Sequence, residues 1–354
     1  MTRAIHQFHP TLAAGDAVSD DVFALRDLFR SWGYASEAYA VEAKPEVRDQ
    51  VVPYRRLFRV IRPDDLLLLH FSIGSEIFDP LARLGARRVL VYHNVTPPEF
   101  FDGINPHTAA FAERGLRQLA GLAPRVDLAI GVSEFNRKAL EDVGFPRTAV
   151  VPVLVDWRRY DVAPDAAVLA EWEGPRTKLL FVGRVSPNKR QDDLIRMLAY
   201  YRTCLDPAGT LLLVGAYRDQ PQYHGRLRAL ARQLGVEGGV TFAGKVSLAA
   251  LVAYYRVASV FVSLSEHEGF GVPLLEAMRF GVPVVAYAAG ALADTVAGGG
   301  LLLRERDLAV AAETCALVVA RPELRAALVE GGRRRVEDFS AERVAARVRE
   351  VLEL

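Results

Sequence analysis

The sequence predicts an α/β protein made of two doubly wound, Rossmann-like parallel-sheet domains facing each other across a cleft. Three observations predict it. The chain has 354 residues, too many for one ordinary core and suited to two domains. Continuous apolar runs alternate with helical patterns, which indicates strands buried on both faces by helices. The alternation also pauses once, near the middle, and then resumes.

In the first half, AIHQFHP is the first strand. DDVFALRDLFRSWG follows with helical spacing, placing Val22, Leu25, Leu28 and Phe29 on one face and Gly33 at the stop. Further strands are expected at SEAYAVE, DLLLLHFS, RRVLVYHN and VDLAIGVS, with a helix over FNRKALEDVG. Residues 156–178 are polar, contain two prolines and read as a linker. The second series comprises KLLFVGRVSPNKR, TLLLVGAYRD, GVTFAGKVS, SVFVSLSEHEG and GVPVVAYAAGA. Residues 1–160 are thus expected to form the first domain and 175–338 the second. An amphipathic helix over 339–354 is expected to pack back towards the first.

Composition narrows the function. Half of the residues are hydrophobic (51%), a quarter charged (25%), and the formal net charge is +1. That balance gives no bulk field for nucleic acid, which is not expected as a partner. Two distant cysteines, Cys204 and Cys315, argue against a disulfide framework and for a reducing compartment. The first residues, MTRAIHQFHPTL, lack a signal-peptide pattern, and no run approaches the length of a membrane span. A cytoplasmic location is expected, with contact at the inner face of the cell membrane left open. The segment VPYRRLFRVIR (Val52–Arg62) could serve such contact; a helix packed on the sheet with its arginines in solvent is the favoured reading.

The chemistry concentrates in the second half. Arg184 and Lys189 lie in a strand-to-helix loop, where two cations five residues apart can grip a diphosphate; a solvated basic loop is an equal reading. SEHEGFGVPLLEAM then carries Glu268 and Glu276 around a glycine-bearing helix mouth. With Pro273 at the first helical position and Gly281 at the exit, a helix is expected over Pro273–Phe280. The amides of Gly269, Phe270, Gly271 and Val272 would face a phosphate, and the carboxylates suit vicinal sugar hydroxyls. The opposing reading makes Glu276 a partner of the helix dipole and Glu268 merely solvated. Val246, in GKVS, could frame a base, and YAAGALAD could approach a sugar.

These stretches resemble the large retaining GT-B glycosyltransferase family 4. The resemblance is carried by FVGRVSPNKR, LLLVGAY, VTFAGKVS and above all the E-x7-E motif EGFGVPLLE with GVPVVAYAAGALADTV, over roughly Lys178–Leu303. It implies that Glu268 contacts the donor sugar, Glu276 the ribose, and Arg184 and Lys189 the diphosphate. Asp294 stands where many members have glutamate. The resemblance also places an acceptor pocket in the first domain. There Gly15 could touch a donor phosphate, and Asp16 either contacts acceptor or sugar or caps a helix beside Ser19 and Asp20, with the cap favoured for Asp20. His93 matches the family's cleft histidine, and His70 is a weaker candidate of the same sort. Ser133 borders the cleft or caps a helix.

No DxD sequence occurs and the histidines lack metal-ligand spacing, so neither metal nor cofactor is expected beyond the nucleotide-sugar co-substrate. The implied reaction transfers a hexose, with GDP-mannose mildly preferred over UDP-sugars, to a hydroxyl of a saccharide, lipid-linked or small-molecule acceptor. Catalysis is expected from Glu268, His93, Arg184 and Lys189. A nucleotide-sugar epimerase of the same shape is the alternative. A glycosidase fits poorly, since its carboxylates would oppose each other across a sugar groove; a non-catalytic sugar-nucleotide binder also remains.

Overall fold

A computed structural model describes residues 3–354 and divides into two compact units, each presented by itself. Met1 and Thr2, with which the expected first domain begins, lie outside the described residues. Among the described residues, the first unit comprises 3–99, 107–156 and 339–354; the second comprises 100–106 and 157–338.

The first unit is built on seven strands: β1 (Ile5–Leu12), β2 (Ala38–Ala43), β3 (Val51–Pro53), β4 (Leu66–Phe71), β5 (Arg87–Tyr92), β6 (Leu128–Gly131) and β7 (Thr148–Val150). They pair in the order β3-β2-β1-β4-β5-β6-β7, all parallel. Buried Phe8, Leu67, Leu69, Phe71, Phe78 and Leu90 belong to its main core, which explains why the central strands read as unbroken apolar runs. Helices α1 (Ala17–Ser31), α2 (Pro106–Leu122) and α3 (Glu134–Val143) connect strands. The final helix, Ala341–Leu352, belongs to this unit: Arg347 Nε donates to the Val150 carbonyl (3.0 Å) and Arg87 Nη1 to that of Leu352 (2.9 Å).

Register decides what faces what. Gln7 pairs with Leu68, and His70 with Val91. Because side chains alternate, Gln7, His70 and His93 point to one face of three adjacent strands. His93 extends the register, its amide donating to the Phe71 carbonyl (2.9 Å).

The second unit holds β8 (Lys178–Val182), β9 (Thr210–Val214), β10 (Val240–Gly244), β11 (Val260–Ser263), β12 (Val284–Tyr287) and β13 (Leu301–Leu303), in the order β10-β9-β8-β11-β12-β13. Both sheets reverse strand order after their first strand. In the second unit, the loops after β8 and β11 therefore open at the topological switch point, where such sheets bind ligands. Those loops contain Arg184 and Lys189, and Glu268 to Gly271 respectively.

Two sequence readings change. Residues 156–178 are not a free linker. They form a turn at Trp157–Tyr160 and a helix at Ala166–Glu171, capped by Asp165, whose carboxylate accepts from the Ala167 and Val168 amides. Tyr160 and Trp172 are buried; the polar composition concealed these aromatic anchors. The arginine-rich segment also makes little helix, only a turn at Tyr54–Arg56 and Leu57–Val60. Its Leu57 is buried, while Phe58 and Val60 are exposed. Among the described residues, no helix is long and apolar enough to cross a membrane.

Candidate active site

The loop after β8 is held from within. Ser186 Oγ donates to Asn188 Oδ1 (2.7 Å), and Asn188 Nδ2 to the His267 carbonyl (3.0 Å). The Glu266 amide returns a bond to the Asn188 carbonyl (2.9 Å). Both side chains are almost fully buried, so the loops after β8 and β11 are locked together. Sequence reasoning missed Ser186 and Asn188, whose only signal was SPN ahead of the basic residue.

This brace brings Lys189 to Glu268, Nζ to Oε2 at 2.5 Å, with both side chains largely covered (21% and 13% exposed). The two residues expected to serve phosphate and sugar separately thus form a pair. Arg184 is exposed. The expected helix starts one residue earlier, as α4 (Val272–Arg279), because Gly271 adopts φ +96° and forms its N-cap. A Cβ at Gly271 would stand 2.7 Å from Leu292 Cδ2. The backbone of 269–272 therefore lies at a helix N-terminus, the usual setting for an anion.

YAAGALAD supports Glu268 through the backbone. Gly290 has φ +56°, and a Cβ there would lie 2.6 Å from the Glu268 carbonyl oxygen. The Ala291 amide donates to that same oxygen (3.0 Å). Asp294 is exposed, its carbonyl accepting from Arg335. Val246 is half-buried in the loop after β10, where the Ser247 side chain caps the next helix.

Glu276 differs from Glu268. It is buried (7% exposed), and its two oxygens accept from the hydroxyls of Tyr160 and Tyr255, the latter at 2.5 Å. Burial and the adjacent carboxylate raise the Tyr255 hydroxyl well above its ordinary range, which keeps it a donor. Neither tyrosine was foreseen, since they come from distant segments. Beside this site, burial lowers His267 to about 4, with Lys189 adding to the effect and Glu268 opposing it.

In the first unit, Gly15 is exposed with φ +71°. The α1 cap is Asp16 and not Asp20: the Asp16 carboxylate accepts from the Ser19 amide (3.0 Å) and hydroxyl (2.9 Å). Asp20 falls in the first turn, where the helix dipole favours it. Ser133 caps α3, accepting from the Asn136 amide (3.2 Å).

His70 and His93 lie together: His70 Nδ1 is 2.9 Å from His93 Nε2, and His70 Nε2 is 2.9 Å from Gln7 Oε1. Asp21, not singled out by sequence, completes the group. Its Oδ2 is 3.9 Å from His93 Nε2, and its Oδ1 accepts from the Leu154 amide (2.7 Å). Burial lowers His70 well below its ordinary range and His93 to about 3, while burial raises Asp21 to about 7. Ligand-type atoms of Asp21, His70 and His93 lie within 4.8 Å of one another, a proximity that sequence spacing gave no sign of.

Each unit is thus a doubly wound Rossmann-like fold, and the chain has the two-domain α/β architecture of GT-B glycosyltransferases. Structural neighbours share it at the level of fold. They include Anabaena Alr3699/HepE in complex with UDP-glucose (TM-score 0.79, 21% identity, 99% of both chains). Another is sucrose-phosphate synthase from Thermosynechococcus elongatus (TM-score 0.78, 21% identity, 99% of this chain and 98% of that one). Residues 170–335, a little under half of the chain, match the model of glycosyl transferases group 1. It is 37% identical over 224 residues to D-inositol 3-phosphate glycosyltransferase of Geodermatophilus obscurus, covering 56% of this chain and 45% of that relative. It is 27% identical over 299 residues to the GDP-mannose-dependent alpha-(1-6)-phosphatidylinositol monomannoside mannosyltransferase of Mycobacterium tuberculosis, covering 78% and 73%. The chain spans 35–57% of the length of the inositol-phosphate relatives it matches.

Proposed function

We propose that the chain is a retaining, family 4 glycosyltransferase that moves a hexose from a nucleoside diphosphate sugar to an acceptor hydroxyl. The observation that carries this reading is the Lys189–Glu268 pair beside the helix N-terminus at Gly271–Val272. A cation and helix amides suit a diphosphate, and a carboxylate next to them suits the sugar that the diphosphate carries. On donor arrival Lys189 turns to phosphate and Glu268 to sugar hydroxyls. Arg184 adds a second cation, Val246 frames the base, and Glu276 receives the ribose.

The anomeric carbon–phosphate oxygen bond breaks as the acceptor oxygen bonds to the same face, and a phosphate oxygen takes the acceptor's proton. The leaving diphosphate is stabilised by Arg184, Lys189 and the α4 amides without a divalent ion, and this electrostatic term dominates. The first unit serves the acceptor, with His93 facing a substrate hydroxyl and Gly15, Asp16, His70 and Ser133 around the pocket. A saccharide, a lipid-linked intermediate or a small molecule fits as acceptor. GDP-mannose is mildly preferred as donor, a choice supported by the named mannosyltransferase relative, whereas a neighbour of similar fold holds UDP-glucose. We place the enzyme in the cytoplasm, with peripheral contact at the inner face of the membrane through the exposed Phe58 and Val60 and their flanking arginines.

Thermal shift with GDP and UDP tests the donor site, since a ligand of the folded state raises its stability by mass action. Incubation with nucleotide sugars then separates the readings. Nucleoside diphosphate released only with an added acceptor supports transfer; epimerised donor without acceptor, or no stabilisation by either nucleotide, overturns it.

A further inference from the structure

The polar chain through the first unit's sheet has a direction, fixed by chemistry at one end. Gln7 Nε2 lies 3.0 Å from the Val22 carbonyl, which can only accept. The amide must therefore present N–H to Val22, which leaves Oε1 facing His70 Nε2 at 2.9 Å. That oxygen can only accept, so His70 Nε2 carries a proton. Burial lowers His70 far below its ordinary range, so the ring is neutral and its Nδ1 holds a lone pair.

The next link follows the same logic. His70 Nδ1 and His93 Nε2 are 2.9 Å apart, with ring centroids separated by 5.2 Å and planes only 21° apart. Rings in face-to-face contact could not bring two nitrogens so close; these meet end to end, as an in-plane N–H···N bond requires. His93 Nε2 must donate into the His70 lone pair. The neutral His93 ring then has one nitrogen left, Nδ1, without its proton. His9 does not reverse the sequence, because its Nδ1 donates to the Thr11 carbonyl (2.6 Å) and its Nε2 engages the Ser72 hydroxyl (2.9 Å).

We propose that Gln7 and His70 are positioning residues that lock His93 as its Nε2–H tautomer, so that Nδ1 can act only as a hydrogen-bond acceptor for a substrate hydroxyl. The chain Val22 carbonyl–Gln7–His70–His93 thereby sets the polarity of a group three hydrogen bonds removed from its anchor. The substrate hydroxyl must donate, and an analogue with a methoxy group or fluorine in its place would lose the contact, because neither can donate. This step rests on the proposed transferase reading; the tautomer itself does not.

Nitrogen-15 NMR of histidine-labelled full-length protein decides the tautomer directly. The expected result is His93 Nδ1 in the unprotonated range, Nε2 in the protonated range, and a scalar coupling across the bond to His70 Nδ1. A protonated Nδ1 on His93 overturns the proposal. So does a shift of both facing nitrogens on adding Zn(II) alone, which would make them metal ligands with Asp21. Gln7→Leu removes the anchor and should mix the two His93 tautomers and lower kcat about tenfold, the worth of one hydrogen bond, with little change in donor KM. If Gln7→Leu does not fold, the wild-type spectrum alone carries the decision. Nucleotide stabilisation in the thermal-shift experiment reports separately on the transferase reading.

Discussion

The two units handle charge in opposite ways. The second unit keeps it: Lys189 and Glu268 form an ion pair at a loop surface, and Glu276 is held by tyrosine hydroxyls. The first unit suppresses it, with His70 and His93 held neutral by burial and Asp21 raised to about 7. A site that grips a diphosphate needs standing charge and amides. A site that orients hydroxyls needs fixed donors and acceptors, and neutral imidazoles provide those without attracting counterions. The difference teaches that the same strand-end geometry serves either task, according to how deeply its polar groups are buried.

The sharpest way to break this comparison is to remove the buried acid of the second unit. Glu276→Ala leaves two tyrosine hydroxyls without their acceptor, and hydrogen bonds to charged groups contribute about 1.5–3 kcal/mol each. Loss of about 3 kcal/mol of stability and at least about tenfold weaker nucleotide binding are expected, read by denaturant unfolding and by titration. Wild-type stability with unchanged binding would remove Glu276 from the site. Glu268→Ala should behave otherwise. A partly exposed ion pair contributes roughly 1 kcal/mol or less to stability, so the fold should persist while kcat falls about 100-fold, in the range for losing one stabilising contact in a transition state. Equal losses of stability in the two variants would erase the distinction drawn between the acids.

Gly290→Ala probes the same acid through its backbone. The residue would sit at φ +56° with its Cβ 2.6 Å from the Glu268 carbonyl oxygen, a strain of about 1–3 kcal/mol. Displacement of Glu268 should lower turnover more than nucleotide affinity. If the kinetics are unaltered, the brace does not hold Glu268 in place.

How much of this was legible in the sequence follows the same division. The second unit's site is local: glycines, proline and both glutamates lie within one loop and helix, so their spacing alone implied their placement. Ser186 and Asn188 were missed because their work is done on the backbone of another loop. The first unit's cluster is non-local. Gln7, His70 and His93 come together only through the register of β1, β4 and β5, which no run of residues reveals. Asp21 was hidden in a helix beside two better cap candidates, and of those the structure selects Asp16. The linker reading failed because net polarity outweighed Tyr160 and Trp172, whose burial fastens that segment to the second unit.

The smallest effect, per unit of pH, concerns Asp21. Its carboxyl titrates near 3.8 when unfolded and at about 7 in the folded protein. Between those values the folded state binds a proton that the unfolded chain does not, so this group's contribution falls as pH rises. The slope is at most about 1.4 kcal/mol per pH unit and vanishes above about 7. His93, lowered to about 3, works in the opposite sense: the unfolded chain holds its proton up to the ordinary histidine range, so stability is gained as pH rises from about 3 to 6.5. His70, also lowered by burial, acts in the same sense as His93, so the Asp21 term opposes both histidine terms across mildly acidic pH. Asp21→Asn removes the Asp21 term and keeps an oxygen for the Leu154 amide. The variant should gain on the wild type steadily from pH 4 to 7 and hold a constant advantage above it, measured by urea unfolding at each pH. Parallel profiles for the two proteins would mean that Asp21 is ionised in the fold, and that the first unit does not suppress its charge.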